Sequence, residues 1–291
     1  MKKVLIISYY WPPSGGIAIH RCLKFAKYLK EFGWEPVICT ADNPEDPVLD
    51  DGNFKHIPEG TIVIKTKIWE PYNVFKIITG KKKEERIHNV FIEEEKPSFA
   101  HKLGIWIRGN LFIPDARKFW IRPSVKFLSK YLKENHVDAI FTNGPPQSTH
   151  MIAYGVKKNL GIPWHADFQD PWTQVDYFPQ LMLNPLSLKI HKAMEQRVFK
   201  FANKITICSD TWKTDLESIG AKDVGVIVWG FDEDDFKNIS VELSPKFTIS
   251  HYGSLGPDRN AKTLWNACSI IAKENEMFAR DLEIELAGFI G

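Results

Sequence analysis

Several short stretches carry residue types at spacings that suit the binding or transfer of a charged group. Pro12, Pro13, Ser14, Gly15 and Gly16 stand directly before a helical pattern. Paired glycines there let bare backbone amides and a helix N-terminus approach an anion. The spacing is not the dinucleotide fingerprint, and no acid follows the second strand at its tip in the usual way, since Thr40 and Ala41 precede Asp42. The alternative is that Gly15 and Gly16 simply make the turn. Further on, Asn143 to Thr149 supplies helix-starting Ser148 and Thr149 and puts His150 either against a cleft or in a first helical turn, as a surface or capping residue. Asp167 and Asp170 lie three apart beside Trp172, able to hydrogen-bond sugar hydroxyls or buffer a developing charge, or else to cap a turn before Pro171. Near the end, Gly253, Ser254, Leu255, Gly256, Pro257, Asp258 and Arg259 lead into a helix near Asn260. A permanent cation at such a helix start suits a pyrophosphate, with an exposed surface arginine as the plainer reading.

The elements that must position these residues follow from hydrophobic period. Short apolar runs alternate with longer helical patterns, which predicts an α/β fold with a parallel, doubly wound sheet. Strands are expected at 4–8, 35–40, 61–64, 137–142, 163–168, 204–208 and 224–228, and helices at 17–32, 123–135, 147–159, 185–202 and 211–219. Ligands of open sheets bind beyond the carboxyl ends of strands, where all these stretches fall. Between 66 and 120 the pattern assigns no element, and the run Lys81, Lys82, Lys83, Glu84, Glu85, Arg86 reads as solvated. The expected organisation is a first domain over 1–231, an acidic, turn-rich linker over 232–245, and a second unit over 246–291 with strand 247–251, helix 261–273 and strand 282–287. One strand–helix–strand is a fraction of a domain of ~150 residues, so the chain is expected to be incomplete.

Composition narrows the class. Of 291 residues, 38 Lys and Arg balance 36 Asp and Glu, a net +2 that argues against a nucleic-acid binder. With 44% hydrophobic and 25% charged residues the chain can bury a sizeable core, which excludes wholesale disorder and coiled coil. Cys22, Cys39, Cys208 and Cys268 are scattered without a CxxC pair, so neither a zinc site nor a disulfide framework is expected, and a reducing cytoplasm is the expected location. Lys2 and Lys3 before residues 4–7 outline a leader, but the apolar run is too short and reads as a buried strand. No stretch reaches the ~18 apolar residues of a membrane span. The segment 96–133 holds nine Lys and Arg against Asp115 alone, interleaved with Leu103, Trp106, Phe119 and Trp120. That composition suits an anionic bilayer surface at roughly 1 kcal/mol per cation, or an amphipathic helix pair with solvated cations.

Taken in order, SYYWPPSGGIAIHR (8–21), IPDARKFW (113–120), NGPPQSTH (143–150), ADFQDPW (166–172), ANKITICSD (202–210) and YGSLGPDRNAKTL (252–264) resemble the retaining glycosyltransferases of family 4, which have the two-Rossmann GT-B architecture. The resemblance implies transfer of a sugar from a nucleotide-sugar to an acceptor hydroxyl with retention and without metal or other cofactor. It implies that Gly15, Gly16, Gly253, Ser254 and Arg259 meet the donor phosphates. His150, Asp167, Asp170 and Trp172 would serve the acceptor, and Arg259 and Asp170 the chemistry. A polyprenyl-linked or lipopolysaccharide-type acceptor would place the protein in the cytoplasm, at the inner face of the membrane, through 96–133. Two departures stand out. Ser254 replaces a second basic residue, and the paired-glutamate segment is absent, so the isolated chain is expected to be inactive unless another chain supplies it. The other readings are a nucleotide-sugar epimerase of the same shape and a non-catalytic acceptor- or membrane-binding module. A nicotinamide dehydrogenase is disfavoured by the missing glycine fingerprint.

Overall fold

The protein is seen here as a computed structural model that describes residues 1–46, 48–71, 99–237, 239–256 and 260–288. The charged run 81–86, Lys96 and Arg259 lie outside the described residues. The chain divides into two compact units between Phe231 and Asp232.

The larger unit is built on strands β1 (Lys2–Ile7), β2 (Trp34–Asp42), β3 (Ile62–Lys67), β4 (Ala139–Gly144), β5 (Trp164–Phe168), β6 (Lys204–Ile207) and β7 (Val224–Val226). They form one parallel sheet in the order β3-β2-β1-β4-β5-β6-β7. The helices are α1 (Ala18–Tyr28), α2 (Phe99–Leu111), α3 (Lys118–Glu134), α4 (Ser148–Leu160), α5 (Pro185–Phe201) and α6 (Asp210–Ser218). Alternation along β1 explains the winding on both faces. Val4 and Ile6 pack with Cys22, Leu23 and Ala26 of α1 on one side. Leu5 and Ile7 pack with Trp120 and Leu128 of α3 and Ile152 of α4 on the other.

One expected boundary moves, and one unassigned stretch gains a helix. The helix expected at 123–135 starts at Lys118, with Pro123 inside it. Its buried stripe Trp120, Ser124, Leu128, Leu132 recurs every four residues and runs through the proline, so the packed face outweighs the one backbone bond that Pro cannot make. The unassigned stretch contains α2, which is apolar enough to lack a clean amphipathic period.

The smaller unit has β8 (Phe247–Tyr252) and β9 (Leu282–Ala287) paired in parallel, joined by α7 (Lys262–Glu274) and the short α8 (Glu276–Asp281). The stretch expected to be a plain linker contains a 3-10 turn, Glu233–Phe236, capped by Asp232. Among the described residues no helix is long and apolar enough to cross a membrane.

Candidate functional site

Strand order reverses between β1 and β4, so the crevice beyond their carboxyl ends is the natural binding place of the larger unit. The loop after β1 is stapled to residues 46–50: Ser14 Oγ donates to Asp46 Oδ2 (2.6 Å), Gly15 N to Val48 O (2.9 Å), and Asp50 N to Pro13 O (2.8 Å). A Cβ on Gly15 would lie 2.8 Å from Val48 Cγ1, so the close approach requires glycine. Gly16 has φ +77° and nothing within 4 Å of a Cβ position, so it turns the chain and stays open. Ile17 then leads into α1 with no side-chain cap and no acid in the first turn. This leaves the helix start electropositive.

Near the same strand ends stand side chains that the sequence marked only as parts of motifs, together with Glu70, which no motif contains. Arg117 packs over the Tyr9 ring at 4.7 Å and meets Glu70 Oε1 at 3.3 Å, while Tyr9 Oη donates to the same oxygen at 2.9 Å. Burial raises the Glu70 carboxyl above its ordinary range, with Arg117 pulling it back. Asp115 accepts from Ser148 N and Ser148 Oγ, both at 2.8 Å, and so caps α4 from a distant segment. Burial also raises the Tyr10 hydroxyl, against the opposing charge of Arg117. The signal for Tyr9, Tyr10, Asp115 and Arg117 was position, directly after β1 and directly before α3, whereas Glu70, past β3, carried none.

Of the acceptor candidates, Asp170 alone has free capacity. It is half-buried, has no hydrogen-bond partner among the described residues, and is raised in pKa by burial and then by Asp176. Asp167 has a different part. It is fully buried and takes Arg21 Nε at 2.6 Å, Arg21 Nη2 at 2.8 Å, Asn143 Nδ2 at 2.8 Å and Thr206 Oγ1 at 2.6 Å. Its four contacts consume both oxygens, so it ties α1, β4, β5 and β6 together and has none left for an acceptor. The expectation for His150 is likewise corrected. It is fully buried, bonded through Nδ1 to Thr142 Oγ1 at 2.8 Å, with its ring 4.5 Å from Phe168, because the first turn of α4 points into the sheet. Trp172 is 3% exposed and donates Nε1 to His191 Nδ1 at 3.0 Å, which makes it core rather than a stacking surface.

In the smaller unit Gly253 ends β8 at φ +141° with its amide on Ala287 O (2.8 Å), and Ser254 is exposed.

No protein-family model and no curated protein sequence matches the chain. Solved structures do. HepE from Anabaena, solved with UDP-glucose, aligns with 99% of this chain and 69% of its own at 14% identity, with a TM-score of 0.51. Sucrose-phosphate synthase from Thermosynechococcus elongatus aligns with 98% of this chain and 62% of its own at 11% identity and 0.53. TarM aligns with the whole chain and 72% of its own at 9% identity and 0.54. The fold is GT-B. At this identity the likeness speaks for architecture. In this fold the larger unit is a Rossmann-like doubly wound domain, and β8, α7 and β9 form a strand–helix–strand in the smaller unit.

Proposed function

We propose that this protein is a glycosyltransferase of the retaining kind, moving a sugar from a nucleotide-sugar to a hydroxyl of a lipid-linked or cell-surface polysaccharide acceptor without a metal. The observation that carries this reading is the GT-B fold with an open double-glycine turn at its switch point, Gly16 unobstructed and the start of α1 uncapped. HepE, of the same fold, was solved with UDP-glucose and with UDP. In the reaction the bond from the anomeric carbon to the phosphate oxygen breaks, a bond to the acceptor oxygen forms, and the acceptor proton ends on the departing phosphate. Negative charge grows on that phosphate, which donors fixed in advance stabilise. Gly15, Gly16, Gly253, Ser254 and Arg259 are assigned to the phosphates. Asp170, with an unclaimed carboxylate, is assigned to the acceptor hydroxyl. Titration of the chain with UDP and GDP tests the reading, and saturable binding weakened by Gly16→Val and Arg259→Ala is the expected result. No binding of either nucleotide would favour an acceptor-binding module without catalysis.

A second part of the reading is peripheral docking on an anionic membrane. It is supported by α2, where Phe99 is 83% exposed and Leu103, Trp106 and Leu111 stand out from the surface. Phe119 and Trp69, both exposed, meet edge-on at 4.8 Å, and Lys118 Nζ lies 5.3 Å above the Phe119 ring. Arg117 leaves the set of membrane cations because it is buried against Glu70 and Tyr9. Co-sedimentation with anionic vesicles at low salt is the test, and its failure removes this part alone.

A further inference from the structure

Glu70 stands just past β3, and the transferase reading gives it no part. Its side chain is 3% exposed, so both carboxylate oxygens need partners within the protein. Each oxygen turns to a different loop. Oε1 accepts from Tyr9 Oη at 2.9 Å and lies 3.3 Å from Arg117 Nε, while Oε2 accepts from Glu45 N at 2.8 Å. One carboxylate thus joins the segments that follow β1, β2 and β3 to the segment that leads into α3.

The two loop contacts bear on opposite ends of the stretch that carries the paired glycines. Tyr9 is where the chain leaves β1. Glu45 precedes Asp46, whose Oδ2 takes Ser14 Oγ at 2.6 Å directly before Gly15. Further bonds run along the same segment: Gly15 N donates to Val48 O at 2.9 Å, Asp50 N to Pro13 O at 2.8 Å, and Asn53 Nδ2 to Ser14 O at 2.9 Å. Residues 45–53 therefore splint residues 13–15, and Glu70 fixes the near end of that splint and the origin of the loop with a single group. Backbone amides hold an anion well only when they are set before it arrives, because ordering a loop on binding subtracts from affinity. We propose that Glu70 is a positioning residue for the double-glycine turn, setting where Gly15 and Gly16 stand without touching the ligand. This role rests on the transferase reading for what the turn binds, and on the contacts alone for what holds it.

Amide hydrogen exchange of the full chain, read on peptides covering 11–17 and 44–53, tests it beside calorimetric titration with UDP. Glu70→Gln keeps the shape and one acceptor oxygen but removes the charge opposite Arg117. Tyr9→Phe removes a single hydroxyl and keeps the ring that lies 4.7 Å from the Arg117 guanidinium, so it serves even where Glu70→Gln fails to fold. Each is expected to speed exchange in the two peptides at least ~threefold more than in β4 and β5, and to weaken UDP binding about fivefold. Ser14→Ala is expected to act in the same direction. Combined with Glu70→Gln it is expected to weaken UDP binding by less than the product of the two single effects, because both cut one chain of contacts. Exchange that rises no more in 11–17 and 44–53 than in β4 and β5 overturns the proposal, since Glu70 would then only stabilise the fold. Fully multiplicative losses of affinity overturn it too. A wild-type chain that binds no UDP removes the transferase reading, and the exchange comparison still decides whether Glu70 holds the turn. A wild-type chain that binds UDP, with Glu70→Gln and Tyr9→Phe binding it as tightly, removes the role of Glu70 alone.

Discussion

Arg21 and Asp167 place opposite charges in an interior closed to water, with side chains 4% and 0% exposed. Removing one charge strands the other, so Asp167→Asn is expected to cost ~3–5 kcal/mol in denaturant unfolding even though the amide is nearly isosteric. His150 gives a pH signature. Burial lowers its pKa to about 3, against a weaker opposing pull from Asp167. The folded value lies below the unfolded one, so between pH ~6.5 and about 3 the unfolded chain holds the extra proton and stability falls as pH falls. Acidification from pH 7 to 5 is expected to cost ~2 kcal/mol through this group, and His150→Gln to flatten that part of the stability–pH curve. Gly144 belongs to the same pocket. A Cβ there would stand 2.6 Å from His150 Nε2 and 2.9 Å from Gln147 Oε1, so Gly144→Ala is expected to lower stability by ~1–3 kcal/mol in the same measurement.

Among the elements, α4 depends on a cap that its own sequence does not supply. Gln147 at its N-cap position makes no side-chain bond, and Asp115 closes the helix from beyond α3. Asp115→Ala is expected to cost ~1–2 kcal/mol by thermal or denaturant unfolding, whereas Ser148→Ala, which leaves the amide bond to Asp115, costs less. This helix also shows what a sequence can and cannot disclose. Its extent was legible from apolar spacing, and so was β1, whose apolar run is buried on both faces, while β3, exposed at alternate residues, was expected at 61–64 and runs Ile62–Lys67. The start of α5 at Pro185 was legible too, and there Asn184 Oδ1 accepts from Ser187 N. The donor of the α4 cap was not, since 33 residues separate Asp115 from Ser148. The same limit applies to the candidate site. Gly15, Gly16 and Asp170 were marked as candidates by their place after strands, while the inward turn of His150 and the fourfold engagement of Asp167 depend on partners from other elements that no local pattern names.

For the whole molecule, the two units differ in how much they bury. Leu5, Ile7, Ile140 and Phe168 of the larger sheet have no exposed surface. In the smaller unit Ile270, Ile271 and Ile284 are each more than 40% exposed. Amide hydrogen exchange is therefore expected to be much faster in β8, β9 and α7 than in β1, β4 and β5, and equal protection would contradict the burial. The chain leaves the larger unit at a firm point. Arg21 donates to Ile227 O at 2.9 Å and lies 5.5 Å beneath the Trp229 ring, so α1 grips the last residues before the boundary. Gly230, with nothing within 4 Å of a Cβ position, comes next. A tether is only as loose as the stretch past its last anchor, and here that stretch begins a single peptide after an indole held by a guanidinium. The same guanidinium that neutralises Asp167 inside the sheet therefore also fixes where the larger unit lets go of the chain.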